Sequence, residues 1–104
     1  MSIFGITGDY SSKSITMNGV FGKIYSINAT VSNIVISVSL YQSEQNYLDD
    51  PTSFFESGLT YTCLKSTKET EYNNILSGYI FDGCYNYLKT YEVFSGWQNV
   101  LETQ

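Results

Sequence analysis

The side chains that most often carry chemistry in proteins are scarce in this sequence. The 104 residues include no histidine and only two cysteines, Cys63 and Cys84. This composition excludes serine–histidine and cysteine–histidine pairs, and two thiolates are too few for a tetrahedral sulfur site. The amino-terminal stretch MSIFGITGDYSSKS has no positively charged region and no long apolar core, so it does not resemble a secretion signal. We therefore predict that both cysteines are free, buried thiols.

The carboxylates form no catalytic or metal-binding pattern either. Asp49 and Asp50 directly precede Pro51, the only proline, but the alternating Asp/Asn spacing of a calcium loop is missing, so we interpret them as a solvated turn. The glycines of GITGDYSSKS lack the spacing of a phosphate-binding loop. The ten acidic residues are scattered along the chain, and no two are paired by the sequence as glycosidase chemistry would need. We predict no enzymatic activity, no metal, no cofactor and no small-molecule substrate.

Composition favours protein contacts. Charged residues make up 14% of the chain and aromatic residues 16%, with ten tyrosines. Low charge and abundant tyrosine are typical of surfaces that meet other proteins, although a tyrosine-rich core would give the same composition. The net charge of −5 and the absence of arginine predict no nucleic-acid binding. No apolar run approaches the length of a membrane span.

The first two-thirds of the chain predict a sheet. Residues 19–27 (GVFGKIYSI) and 34–41 (IVISVSLY) alternate as an antiparallel hairpin, and residues 59–64 (LTYTCL) form a further strand. Asn18-Gly19 and Glu56-Ser57-Gly58 predict turns. Residues 1–14 predict either a short strand that includes Ile3, Phe4 and Ile6 or an arm that is flexible or held by a partner. Residues 43–48 predict one helical turn.

A single helix is predicted over residues 71–89, the only segment with a sustained helical period. Its predicted buried stripe repeats every four residues: Tyr72, Leu76, Ile80, Cys84 and Leu88. Gly83 on this helix predicts a close approach to the sheet, and Ser66 to Glu69 fits a capping box. The sequence thus predicts one α+β domain over residues 1–104, an antiparallel β-sheet of about three to five short strands packed against one C-terminal helix.

The end of this helix resembles a motif of a known group of proteins. Residues 85–90 (YNYLKT), followed by EVF at residues 92–94, are similar to a stretch in small structural proteins of tailed bacteriophages, where a helix ends in Y-x-Y-L-K-T. The amino-terminal hairpin of those proteins resembles residues 19–27 and 34–43. The resemblance covers most of residues 18–101, and this chain departs from it at Tyr91, Val93 and Trp97. It implies a component of the virion or of its assembly, and it supplies no catalytic residues.

We therefore expect a bacteriophage virion structural protein, a tail, baseplate or head-surface subunit that is made in the host cytoplasm. It would form a homo-oligomer and contact other virion proteins. Two alternatives stay open: a small phage-encoded inhibitor of a host protein, and a carbohydrate-binding β domain. The candidate protein-contact residues are the larger apolar side chains outside the helix: Ile3, Phe4, Tyr10, Phe21, Tyr25, Tyr47, Phe54, Phe55 and Trp97.

Overall fold

The computed structural model describes residues 2–12 and 15–102. One antiparallel sheet, in the order β4-β3-β2-β1-β5, contains β1 (Ile3–Ser12), β2 (Ile15–Ala29), β3 (Asn33–Tyr41), β4 (Glu56–Leu64) and β5 (Gln98–Leu101). The helices are α1 (Glu44–Asp49), α2 (Glu69–Leu76) and α3 (Ile80–Leu88), and a 3-10 turn covers Glu92–Phe94. The predicted α+β class with an antiparallel sheet is confirmed. No helix in the described ranges is long and apolar enough to cross a membrane.

Strand β3 shows why the sheet has two different faces. Ile34, Ile36, Val38 and Leu40 alternate along the strand, and all four are fully buried against the layer formed by α2 and α3. We call this side of the sheet the helix face. The intervening residues point to the opposite side, where Tyr41 meets α1, and we call that side the α1 face. The predicted alternation and the β2–β3 hairpin are confirmed.

The two glycine turns predicted from the sequence are instead bulges within strands. Gly19, with φ +67°, lies inside β2, where the pairing with β1 shifts register between Met17 and Val20. Gly58, with φ +77°, lies inside β4, where the pairing with β3 shifts register between Glu56 and Leu59. A glycine with positive φ suits a bulge as well as a tight turn, so the residue type alone does not separate the two.

Of the two alternatives for the amino-terminal segment, the described residues form a strand and not an arm. Ile3–Ser12 is strand β1, which pairs with β2 on one side and with β5 on the other. Its Ile6 is fully buried, and the backbone carbonyl of Asp9 accepts a hydrogen bond from the Trp97 indole N–H at 3.1 Å. These contacts hold the segment within the sheet. The other part of the predicted arm, residues 1, 13 and 14, lies outside the described residues.

The predicted single helix is two helices, α2 and α3, with a break at residues 77–79. The break changes the direction of the chain, and the predicted stripe fails only beside it: Tyr72, Cys84 and Leu88 are buried and Ile80 packs against the core. Leu76 is consequently 45% exposed, whereas Leu88 is fully buried. The capping box is absent, because α2 begins after Lys68 and has no side-chain cap. Gly83 packs against the backbone of Ile75 in α2 and not against the sheet.

Both cysteines are buried and free, as the sequence predicts. Cys63 lies on β4 and Cys84 on α3, and both belong to the core between the sheet and the helices. Burial raises the pKa of the Cys84 thiol to about 12 and also raises that of Cys63. Both groups are therefore neutral thiols at physiological pH, which suits an apolar core.

Candidate protein-contact surfaces

Three of the nine predicted contact residues lie in the interior. Ile3, Phe21 and Trp97 are buried, so we remove them from the contact surface. Ile3 and Trp97 belong to the core on the helix face, and Phe21 lies beneath α1 on the other side of the sheet. The sequence could not separate these three side chains from exposed ones, because the helices that cover them are distant in the sequence.

Two further predicted residues, Phe4 and Tyr47, pack much of their surface within an aromatic cluster of the same chain. The Tyr47 ring of α1 lies 5.7 Å from Phe4, 5.5 Å from Phe21 and 5.1 Å from Tyr41, measured between ring centroids. The Tyr41 hydroxyl donates a hydrogen bond of 2.6 Å to the carbonyl of Pro51, and burial raises its pKa. The cluster anchors α1 and the loop that follows it to the sheet.

The remaining four predicted residues keep access to solvent. Tyr25, Phe54 and Phe55 are exposed, and Tyr10 is half-buried. The Tyr10 and Phe55 rings lie 6.0 Å apart, so these two form one apolar patch. Tyr25 lies elsewhere, at the position where an extra residue in β2 shifts the pairing with β3.

A cleft opens next to Tyr25, where β1 and β2 separate. The Tyr85 hydroxyl stands between the two strands: it accepts a hydrogen bond of 2.9 Å from the Ile24 N–H and donates one of 3.2 Å to the Phe4 carbonyl. The Lys23 ammonium donates a second hydrogen bond, of 2.7 Å, to the same carbonyl. In the continuous pairing of β1 and β2, this amide and this carbonyl would bond directly. The side chains therefore satisfy the backbone groups that the separation leaves unpaired.

The cleft has a volume of about 310 Å³ and aromatic walls. Tyr25 is 56% exposed and Tyr79 is 54% exposed, and Phe81 lies with its ring 5.7 Å from that of Tyr79. Burial lowers the pKa of Lys23, while the nearby Glu102 carboxylate acts in the opposite direction. Tyr79 was not a predicted contact residue. It lies in the break between α2 and α3, which the helical period did not reveal.

Strand β4 forms one edge of the sheet, and no described strand pairs with its outer side. The Lys65 N–H donates a hydrogen bond of 3.0 Å to the Ser32 carbonyl of the neighbouring chain segment. Because backbone groups alternate in direction along an antiparallel strand, the N–H and C=O groups of Thr60, Thr62 and Leu64 point away from β3. The side chains of these three residues are also exposed.

Most of the strand edge and the strands beside it carry no charge. Residues 24–43, which include half of β2 and all of β3, hold no charged side chain, and neither do residues 57–64. The open part of the α1 face is therefore covered by small polar and apolar side chains such as Ser26, Asn28 and Thr62. Natural edge strands are usually protected by charge, proline or covering segments, and β4 has only the bulge near its start.

The acidic turn before β4 is held by local hydrogen bonds. The Asp50 carboxylate accepts hydrogen bonds from the Thr52 N–H at 3.0 Å and from the Thr52 hydroxyl at 2.7 Å, and these bonds lower the pKa of Asp50.

Within residues 2–12 and 15–102, no group of three histidine, cysteine or acidic side chains could hold a metal ion. The described side chains thus offer contact surfaces and clefts. Compared with protein-family models, curated proteins and solved structures, the chain matches none.

Proposed function

We propose that this protein is a bacteriophage virion structural protein, a tail, baseplate or head-surface subunit that binds copies of itself and other virion proteins. The observation that carries the proposal is the edge strand β4, which carries no charge over residues 57–64 and whose outward backbone groups are free to pair with another chain. An edge of this kind is a hazard for a protein that works alone and an advantage for one that assembles. The virion context rests on the similarity of residues 85–94 to the phage motif.

Two further properties of the surface support an assembly role. The Tyr10–Phe55 patch and the exposed Phe54 place aromatic rings at the surface near the start of β4. Aromatic residues are enriched, and charged ones depleted, at the centres of protein interfaces. The firm anchoring of α1 by Tyr47 gives this surface a fixed shape before it meets a partner, which reduces the entropy lost on association.

The test is the composition of purified phage particles. We expect the protein to co-purify with particles at a fixed copy number, measured by quantitative mass spectrometry against a known virion protein and a host protein as carry-over control. Abundance in infected cells together with absence from particles would refute the proposal. Capture of one stoichiometric host protein would then favour the inhibitor.

Carbohydrate binding is a second candidate, favoured by the cleft beside Tyr25 and Tyr79. Exposed aromatic rings suit the apolar faces of sugars, and Lys23 and Glu102 supply polar groups at the cleft wall. This candidate predicts binding in a glycan titration that Tyr25→Ala and Tyr79→Ala each abolish. The exposed Leu48 lies outside this cleft, so Leu48→Ala serves as the control and should leave binding unchanged. Absence of binding across a broad glycan panel would remove the candidate.

A further inference from the structure

We infer that β4 pairs antiparallel with β4 of a second copy, about a two-fold axis at Tyr61, so that the two sheets become one. This inference rests on the proposed function and identifies a second copy of the chain as the first binding partner. The backbone directions at the edge allow it: Thr60, Thr62 and Leu64 present their N–H and C=O groups outward. A two-fold axis at Tyr61 places Thr60 opposite Thr62 of the second copy, and both then lie at hydrogen-bonded positions.

Charge selects this register. The bulge at Ser57-Gly58 places two residues opposite one residue of β3. These two residues therefore count as one pairing position between Glu56 and Lys65. With the axis at Tyr61, Glu56 of one copy therefore lies opposite Lys65 of the other, and the symmetry forms this pair twice. Glu56 and Lys65 sit at the two ends of the uncharged residues 57–64.

The two side chains also meet on the same side of the sheet. Glu56 pairs with Leu40 on the helix face, and the alternation of side chains from the buried Cys63 places the Lys65 side chain on the same face. Lys65 confirms this direction, because its ammonium lies 5.6 Å from the ring of Tyr72 in α2. Both charged residues would occupy non-hydrogen-bonded pairs, where opposite Cβ atoms are closest, about 4.5–5.5 Å apart.

The neighbouring registers lack this complementarity. Because outward backbone groups must face outward groups, the register can change only in steps of two residues, and the nearest alternative axes lie at Thr60 or Thr62. An axis at Thr62 places Lys65 opposite Leu59, and an axis at Thr60 places Glu56 opposite Cys63. Each alternative leaves both charges without an opposite charge across the strands. Within residues 57–64 there is no like-charge contact and no proline to oppose pairing.

The first test is a charge exchange at residues that are exposed and do not support the fold. Glu56→Lys and Lys65→Glu each place like charges opposite each other twice per dimer. We expect each single variant to weaken dimerisation about tenfold in Kd, measured by analytical ultracentrifugation at low salt. The double variant Glu56→Lys/Lys65→Glu should restore the original Kd within about threefold. Glu92→Lys makes the same charge change on the 3-10 turn and should have no effect.

The second test removes one backbone donor. Thr62→Pro deletes an N–H that points away from β3, so an edge position tolerates it and the monomer should keep its circular dichroism spectrum. We expect this variant to be monomeric, whereas Thr62→Val, which keeps the N–H, should dimerise. If Thr62→Pro and both charge variants associate as tightly as the original chain, the β4 pairing is wrong while the proposed assembly function stands. A chain that stays monomeric at all concentrations overturns both.

Discussion

Substitution of Gly83 by alanine tests the packing of α2 against α3 most sharply, because two effects of opposite sign compete there. Helix propensity alone predicts that Gly83→Ala stabilises α3 by about 1 kcal/mol. The structure predicts the reverse. A Cβ at this position would lie 2.6 Å from the carbonyl oxygen of Ile75 and 2.7 Å from its Cα. Both are backbone atoms, so the two helices must move apart.

Overpacking of this kind costs about 1–3 kcal/mol, so we expect a net loss of up to about 2 kcal/mol after the gain in helix propensity. The chain offers a matched control in Gly78, which lies between the two helices. A Cβ there would meet nothing within 4 Å, and its φ is not in the positive region. Gly78→Ala should therefore leave stability unchanged or raise it by about 0.4–1 kcal/mol, by restricting the unfolded chain.

The assay is urea denaturation of the two variants and the original chain, followed by circular dichroism and fitted with a common m-value. Stabilisation by Gly83→Ala similar to that by Gly78→Ala would refute the close approach of the helices. Loss of stability in both variants would instead indicate that residues 77–79 belong to the contact between the two helices.

Further substitutions test the buried faces and the hydrogen bond at the cleft. Leu88→Ala should cost about 2–5 kcal/mol of unfolding free energy because Leu88 is fully buried, whereas Leu76→Ala should cost less than about 1 kcal/mol; equal losses would show that the helix break is misplaced. Tyr85→Phe should cost about 1–3 kcal/mol, because it leaves the buried N–H of Ile24 without an acceptor; a change below about 0.5 kcal/mol would mean that water or another group replaces the hydroxyl. The pKa of Cys84 is raised from 9.0 to about 12 in the folded chain. The folded state therefore keeps this proton at a pH where the unfolded chain loses it. The stability of the folded state is unaffected below pH 9 and falls as the pH rises towards 12. Denaturation at pH 8–11 should therefore show a decline that is shallower in Cys84→Ala, and an identical decline in both proteins would contradict the assignment.

The sheet was predictable wherever burial follows a strict period of two. In β3, Ile34, Ile36, Val38 and Leu40 all face the same core, so the hydrophobic pattern and the strand coincide. The α1 turn was predictable for a different reason. Ser43 caps it with a hydrogen bond to the Asn46 N–H, and Pro51 follows shortly after its end.

The wrong predictions of turns and of a single helix have one cause. In each case the local structure depends on packing against residues that are far away in the sequence. Gly19 and Gly58 carry the turn signal, but the strands on either side continue because neighbouring strands pair with them. Ile80 and Leu76 fit one helical period, yet the helix breaks between them at residues 77–79 so that α3 can pack back onto α2. Hydrophobic periodicity indicates local secondary structure and does not show where tertiary packing interrupts it.

The contact surface was only partly predictable for the same reason. Trp97 and Phe21 look like contact residues by type, and only the topology shows that they are internal. Whether a strand lies at an edge likewise depends on the order of strands in the sheet. The absence of charge from residues 57–64 is visible in the sequence, but it becomes informative only once β4 is known to be an edge.

The oligomeric state of the purified chain is the most direct test of assembly through the β4 edge. Size-exclusion chromatography with multi-angle light scattering, over a hundredfold range of concentration, should give a species whose mass is a fixed multiple of 11.7 kDa, with the dimer as the smallest stable assembly. A single species of 11.7 kDa over the whole range, with native circular dichroism, would contradict the claim that this protein works by assembling through its β4 edge.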